Sequence, residues 1–188
     1  MKVLRAWVLI AAASALAAGC AVWTRVDQPT LAGPSESYFV DAPVGWVQLS
    51  AYSGGIRVTR DGFQVQMADV TLTAHDKQLP LTKKASTASI LPTELAELLV
   101  AELRSVPGLG NLTVKETTPA RVAGHDGFRL IAQFRNDRGV AYRIAMYGVA
   151  LPQGRLVFHF QAIERFFFQR DLPEFEQMVR SYRTRRAS

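Results

Sequence analysis

One cysteine, three histidines and little surplus charge are spread over 188 residues, and each shortage removes a class of function. A single cysteine forbids an internal disulfide, so the fold must hold by its core alone. His75, His125 and His159 do not carry the spacing of metal ligands. The chain contains no G-x-S-x-G elbow, no P-loop and no dinucleotide fingerprint. Its acidic residues are scattered over loops and helix faces rather than paired for acid–base work. No reaction is legible, so neither an enzyme nor a cofactor is expected. The formal charge is +6, from 22 Lys and Arg against 16 Asp and Glu. Without a recognised motif, that surplus gives no reason to expect a nucleic-acid partner. Internal repeats and low-complexity segments are absent as well. Charged residues at 20% and hydrophobic ones at 48% are those of an ordinary folded domain of one core.

The amino terminus is the first positive signal. Lys2 and Arg5 make a basic start, Ala6–Ala18 is apolar, and small residues follow, so residues 1–19 read as a secretory signal. The apolar run is too short to span a bilayer permanently. Losing Lys2 and Arg5 with the leader leaves 20 basic against 16 acidic residues, a mild +4. The junction Leu16-Ala17-Ala18-Gly19-Cys20 resembles the lipobox of bacterial lipoproteins, with Ala17 where that family prefers Leu. The resemblance implies cleavage before Cys20, a diacylglyceryl group on its thiol and acylation of the new amino terminus. Two or three acyl chains anchor firmly where one does not. Ala21, where inner-membrane lipoproteins commonly carry Asp, implies an outer-membrane address facing the periplasm. A plain secreted protein with an accidental cysteine is the alternative to lipidation. An inner-membrane or Gram-positive site is the alternative address.

Residues 20–36 read as a lipidated tether, since Pro29, Gly33 and Pro34 interrupt any periodicity. The folded domain is expected over 37–184. Tyr38–Val40 and Trp46–Ser50 read as strands. Ile56–Arg60 and Phe63–Thr73 read as a hairpin closed by Asp61-Gly62, a two-residue turn that would set Val58 against Val65. His75-Asp76 falls in a loop, and Leu79–Ser89 reads as a mobile connection. A helix is expected from Pro92, with Leu95, Leu98, Leu99, Leu103 and Val106 as its stripe and Pro107-Gly108 as its end. Leu112–Thr118 reads as a short strand, and His125-Asp126-Gly127 as a turn. The last helix is expected after Asp171 as N-cap, with Phe175, Met178, Val179 and Tyr182 on one face.

Between these helices, Gly127–Ala162 reads as a three-stranded antiparallel meander. Asp137-Arg138-Gly139 and Pro152-Gln153-Gly154 both read as three-residue loops ending in Gly. That register sets Phe134 against Tyr142, Ala132 against Ile144, Leu130 against Met146, and Met146 against Phe160. The fold class is therefore α+β: an antiparallel sheet with a C-terminal meander, flanked by helices.

Pro43-Val44-Gly45-Trp46, the Val58–Val65 hairpin, the Gly124-to-Phe128 approach and the final helix together resemble the PsbP-like superfamily over about residues 38–183. That superfamily of α/β/α sandwiches includes a photosystem II extrinsic subunit, a Ran-binding import factor and many bacterial lipoproteins. The resemblance implies docking onto a larger assembly, here an envelope protein, by a non-catalytic domain held at the membrane through its lipid. Fold alone does not name the partner.

The alternative is a small-ligand or enzymatic site on the second face of the meander. The assumed register places Arg129, Tyr147 and His159 in one row there, with Gln133 and Arg143 one rung away. Arg forks with Tyr and His would suit an acidic group. A helix covering that face is the bland alternative.

Overall fold

The computed structural model describes residues 23–50, 52–109 and 111–184. The expected leader, residues 1–19, and Cys20 lie outside the described residues.

The strands are β1 (Trp23–Arg25), β2 (Thr30–Ala32), β3 (Tyr38–Asp41), β4 (Val47–Leu49), β5 (Ile56–Thr59) and β6 (Gln66–Thr73). Helix α1 (Pro92–Arg104) follows. Then come β7 (Thr113–Val122), β8 (His125–Arg135), β9 (Ala141–Leu151), β10 (Gly154–Ile163), helix α2 (Gln169–Arg180) and β11 (Arg183–Thr184). Eight strands form one antiparallel sheet in the order β1-β4-β5-β6-β10-β9-β8-β7, and β11-β3-β2 form a small second sheet. The α+β class holds, and the meander has four strands rather than three. Ala123 and Gly124 take φ of 52° and 81°, closing a tight turn that pairs Val122 with His125. His125-Asp126-Gly127 is thus strand, not turn.

The first meander loop folds as its residues demand. Asn136 N–H donates to the Val140 carbonyl across Asp137-Arg138-Gly139, and Phe134, Ala132 and Leu130 meet Tyr142, Ile144 and Met146. The second loop is one residue shorter than expected. Gly154 is a strand residue paired with Leu151, leaving only Pro152-Gln153 at the turn. Its φ is 154°, and a Cβ there would stand 2.3 Å from the Thr73 carbonyl oxygen on the next strand. Only glycine fits so close to a neighbouring backbone. One residue less in the loop flips every side chain of β10 to the other face. Met146 therefore meets His159, and Phe160 meets Ala145.

That flip sorts the core into two layers. On one face Leu156, Phe158, Phe160 and Ala162 of β10 join Ile131, Ala145 and Val149 beneath Phe175, Met178 and Val179 of α2. The small sheet closes the same layer through Tyr38 and Val40. On the other face Leu95, Ala96, Leu99 and Val100 of α1 cover Phe128, Leu130, Ile144 and Met146. A central strand buried on both sides reads as a continuous apolar run, which hides its parity.

Several expected boundaries move for identifiable reasons. Residues 23–36 are not a tether: β1 pairs with β4, β2 pairs with β3, and Val26 is buried. The β5–β6 connection spans Arg60–Val65, because Val65 and Gln66 N–H both donate to the Gly62 carbonyl and the Thr59 hydroxyl accepts from Gly62 N–H. Val58 consequently meets Ala68 rather than Val65. The 79–89 segment is pinned, since Glu102 of α1 accepts from Leu81 N–H, Thr82 N–H and the Thr82 hydroxyl at 2.7–2.8 Å. Helix α2 begins at Gln169, two residues before Asp171, so Asp171 is not its cap. The carboxylate is wholly buried and accepts from Arg170 at 2.6 Å twice, and from Arg60 and Gln66 at 3.3 Å.

Phe175 has no exposed surface and stacks 5.2 Å from Phe160. Phe175→Ala is expected to cost about 3–5 kcal/mol, read as a fall in the urea midpoint. An unmoved midpoint would remove α2 from the core.

Candidate functional site

The expected polar row forms only in part. Arg129 and Tyr147 face each other across β8 and β9, with Arg129 Nε donating to the Tyr147 oxygen at 2.9 Å. Helix α2 lies over them. Tyr147 donates to Glu176 at 2.7 Å, while Arg129 pairs with Glu176 at 3.4 Å and with Glu116 at 3.2 Å. Burial first, and then the hydrogen bond to Glu176, pushes the Tyr147 hydroxyl up to about 12. Gln133 meets Arg143 two rungs on, beyond Ile131 and Ala145, and Arg143 pairs with Glu164 at 3.1 Å and stands over the Phe168 ring. His159 is not in the row. The shorter β9–β10 loop places it on the opposite face, opposite Met146.

There His159 enters a different cluster. It pairs across the ladder with Asp69, which in turn faces Arg57, so the row crosses β10, β6 and β5. Arg57 grips Asp69 through two bonds, 2.6 and 3.0 Å, and lies 4.0 Å over the Tyr52 ring. His159 Nδ1 stands 4.0 Å from Asp69, and its buried Nε2 has no hydrogen-bond partner among the described residues. Burial pulls the imidazole below its ordinary pKa; Asp69 opposes this and Arg57 adds to it. His75 is spent structurally, with Nδ1 on the Ser86 hydroxyl at 2.9 Å and Nε2 on the Leu151 carbonyl at 2.7 Å. Among the described residues no group of three or more His, Cys, Asp or Glu is placed to hold a metal.

An open groove lies on the α1 face. Helix α1 covers β8 and β9 but stops short of the edge strand β7, leaving a groove between them. Its upper part, about 480 Å3, runs from Leu91 and Pro92 at the start of α1 past Thr117 and Pro119 to Phe128. A lower part of about 430 Å3 shares Thr93 and Thr117, and is floored by Ala96, Val100, Val114 and Leu130. Arg121, Asp126, Glu97 and Arg104 line its ends. Leu91 is 58% exposed at the mouth. An apolar floor with a charged rim has the anatomy of a binding interface. The edge strand itself is poorly suited to receive a new strand, because it bulges between Val114 and Glu116 and carries Pro119. None of these groove residues was expected from sequence to form a site. The expected short strand Leu112–Thr118 runs on to Val122 as β7, and as a mostly exposed edge strand it carries no buried pattern that would mark a site.

No protein-family model and no curated protein matches the chain. Solved structures do match in shape. The Ran-binding protein Mog1p of Saccharomyces cerevisiae superposes with a TM-score of 0.57 at 10% identity, over 86% of this chain and 96% of that one. Cyanobacterial PsbP of Synechocystis gives 0.53 at 13%, over 89% and 95%. A protein of Bacteroides thetaiotaomicron gives 0.53 at 10%, over 85% of this chain and 49% of that one. The chain has the PsbP-like fold.

The His159 environment has a measurable consequence. The unfolded chain binds a proton near pH 6.5 and the folded chain only at lower pH, so stability rises with pH through that window. Stability is expected to fall as pH drops below about 6.5, by at most ~1.4 kcal/mol per pH unit from this group. His159→Gln should flatten that slope in pH-resolved urea melts. Identical slopes would deny that the buried imidazole is held neutral.

Proposed function

We propose that the chain is a non-catalytic docking domain of the bacterial cell envelope, anchored to the outer membrane by lipid on Cys20, that grips a segment of an envelope protein in the groove between α1 and β7. The groove is the observation that carries the docking reading. Its floor is apolar, its rim carries both signs of charge, and it lies beside a sheet edge that resists strand addition. The occupant therefore binds through side chains seated between helix and strand. Mog1p, which is named for binding Ran, shares the fold, so this architecture is compatible with a protein partner. The anchor rests on the Leu16–Cys20 junction and the signal-like leader before it. The mild net charge gives no reason to invoke nucleic acid.

The competing reading, an acidic ligand held by Arg129, Gln133, Arg143, Tyr147 and His159, loses support from the geometry. Arg129 is already neutralised by Glu116 and Glu176, Arg143 by Glu164, and His159 faces the other way.

Two tests follow from this reading. Cys20→Ser is expected to leave an uncleaved precursor, while the intact chain from the membrane fraction shows the mass of a cleaved, acylated form. A soluble product with an unmodified thiol would overturn the anchor. For docking, photo-crosslinkers at Leu91 and Thr118 are expected to give the same discrete adduct, and one at Val44 on the far side none. Thr117→Trp, which fills the groove, should weaken capture roughly tenfold, the loss of about 1.4 kcal/mol at one anchor contact. An adduct indifferent to that substitution would move the site elsewhere.

A further inference from the structure

Because β1 begins at Trp23, only Ala21 and Val22 separate the fold from Cys20. Three peptide steps span at most about 11 Å. Whatever surface surrounds Trp23 is therefore held against the bilayer once Cys20 is acylated.

That surface is aromatic. Trp23 is 50% exposed, and its ring lies 4.7 Å from that of Phe63 in the β5–β6 loop. The same loop is clamped to the start of α2: Arg60 bonds Asp171 at 3.3 Å, and Asp61 pairs with Arg170. The Arg170 guanidinium in turn lies 5.3 Å from the Phe166 ring and 5.1 Å from Phe167. Trp23, Phe63, Phe167 and Phe166 thus mark one continuous rim along an end of the domain. Phe166 is 63% exposed and takes φ 75°, ψ −59°, a conformation costly for a residue with a Cβ. The turn Glu164–Phe168 holds a large apolar ring out into solvent at a backbone cost. Such a cost points to a use for the exposed ring.

Resting on the lipid-anchor reading, we propose that this rim is a membrane-contact surface, with Trp23 and Phe166 seated at the headgroup level of the bilayer that holds the acyl chains. The amphipathic Trp ring settles at that depth, and an exposed Phe ring beside it enters the headgroup–acyl boundary. Arg170 is neutralised by Asp61 and Asp171, and Arg60 by Asp171 and Glu174, so neither makes the rim a charge-driven surface. The contact is with the bilayer interface itself, with no requirement for anionic lipid. The α1–β7 groove lies at the opposite edge of the sheet, free to meet a partner.

The mature chain suits a direct test, since removal of the leader leaves two tryptophans, and Trp46 is buried with its Nε1 donating to Glu174. The lipidated protein is reconstituted in phosphatidylcholine vesicles with acyl chains brominated near the headgroup. Trp emission is expected to be quenched, and Trp23→Phe to abolish the quenching. In that background Phe166→Trp should restore it, and high salt should leave it unchanged. Intact mass and vesicle flotation report the anchor separately. A chain that floats with the acylated mass while the Phe166→Trp reporter stays unquenched overturns the rim and leaves the anchor standing. Quenching lost at high salt overturns the aromatic basis of the contact. A chain without lipid that stays out of the vesicles overturns the anchor, and the rim with it.

Discussion

A carboxylate closed off from water holds the two ends of this fold together. Asp171 sits in the first turn of α2 and receives Arg170, Arg60 and Gln66, so it ties the helix to β6 and to the β5–β6 loop at once. Leaving this buried carboxylate without its partners costs about 3–5 kcal/mol, against a total stability of roughly 5–15 kcal/mol for a domain of this kind. The consequence is geometric as well as energetic. With α2 fixed, Phe175, Met178 and Val179 settle on the sheet, and Arg170 is left to steady Phe166 and Phe167 beside the loop that carries Phe63. Remove the carboxylate, and both the helix position and the aromatic rim lose their common support.

The second constraint is parity. A two-residue turn before Gly154 sends Phe158 and Phe160 towards α2 and His159 towards Asp69. Had the loop held three residues, His159 would have joined Arg129 and Tyr147, and the α2 layer would have lost its largest rings. Packing on both faces of β10 leaves no tolerance for a slip. Arg129 and Tyr147 on that face then become part of the helix–sheet contact, closed by Glu176 and Glu116.

Much of the fold was legible in the sequence. The meander's first loop, most of the α1 stripe and the spacing of Phe175, Met178 and Val179 follow from turn chemistry and helical periodicity, and the structure keeps them; Val106 alone falls outside the stripe, because α1 ends at Arg104. What was hidden has physical causes. Gly154 has a positive φ in either reading, so the glycine alone does not reveal whether it ends the turn or begins the strand. Residues 23–36 look like a tether because their strands are three residues long and mostly exposed, and β1 finds its partner β4 more than twenty residues on. Asp171 precedes a helical stripe as a cap would, and its burial depends on Arg60 and Gln66, more than a hundred residues away. The groove was invisible because it arises from where α1 stops, which no local pattern encodes.

Under the proposed lipid anchor, these corrections change how the domain would stand at the membrane. A tether over residues 21–36 would let the domain float up to about 50 Å from its anchor, whereas a fold that starts at Trp23 allows about 11 Å. Neutron reflectivity of the acylated chain on a supported bilayer measures that separation directly. The account predicts a protein layer that begins at the headgroups, with no hydrated gap between them. A water-filled layer some tens of ångströms thick beneath the protein would contradict it.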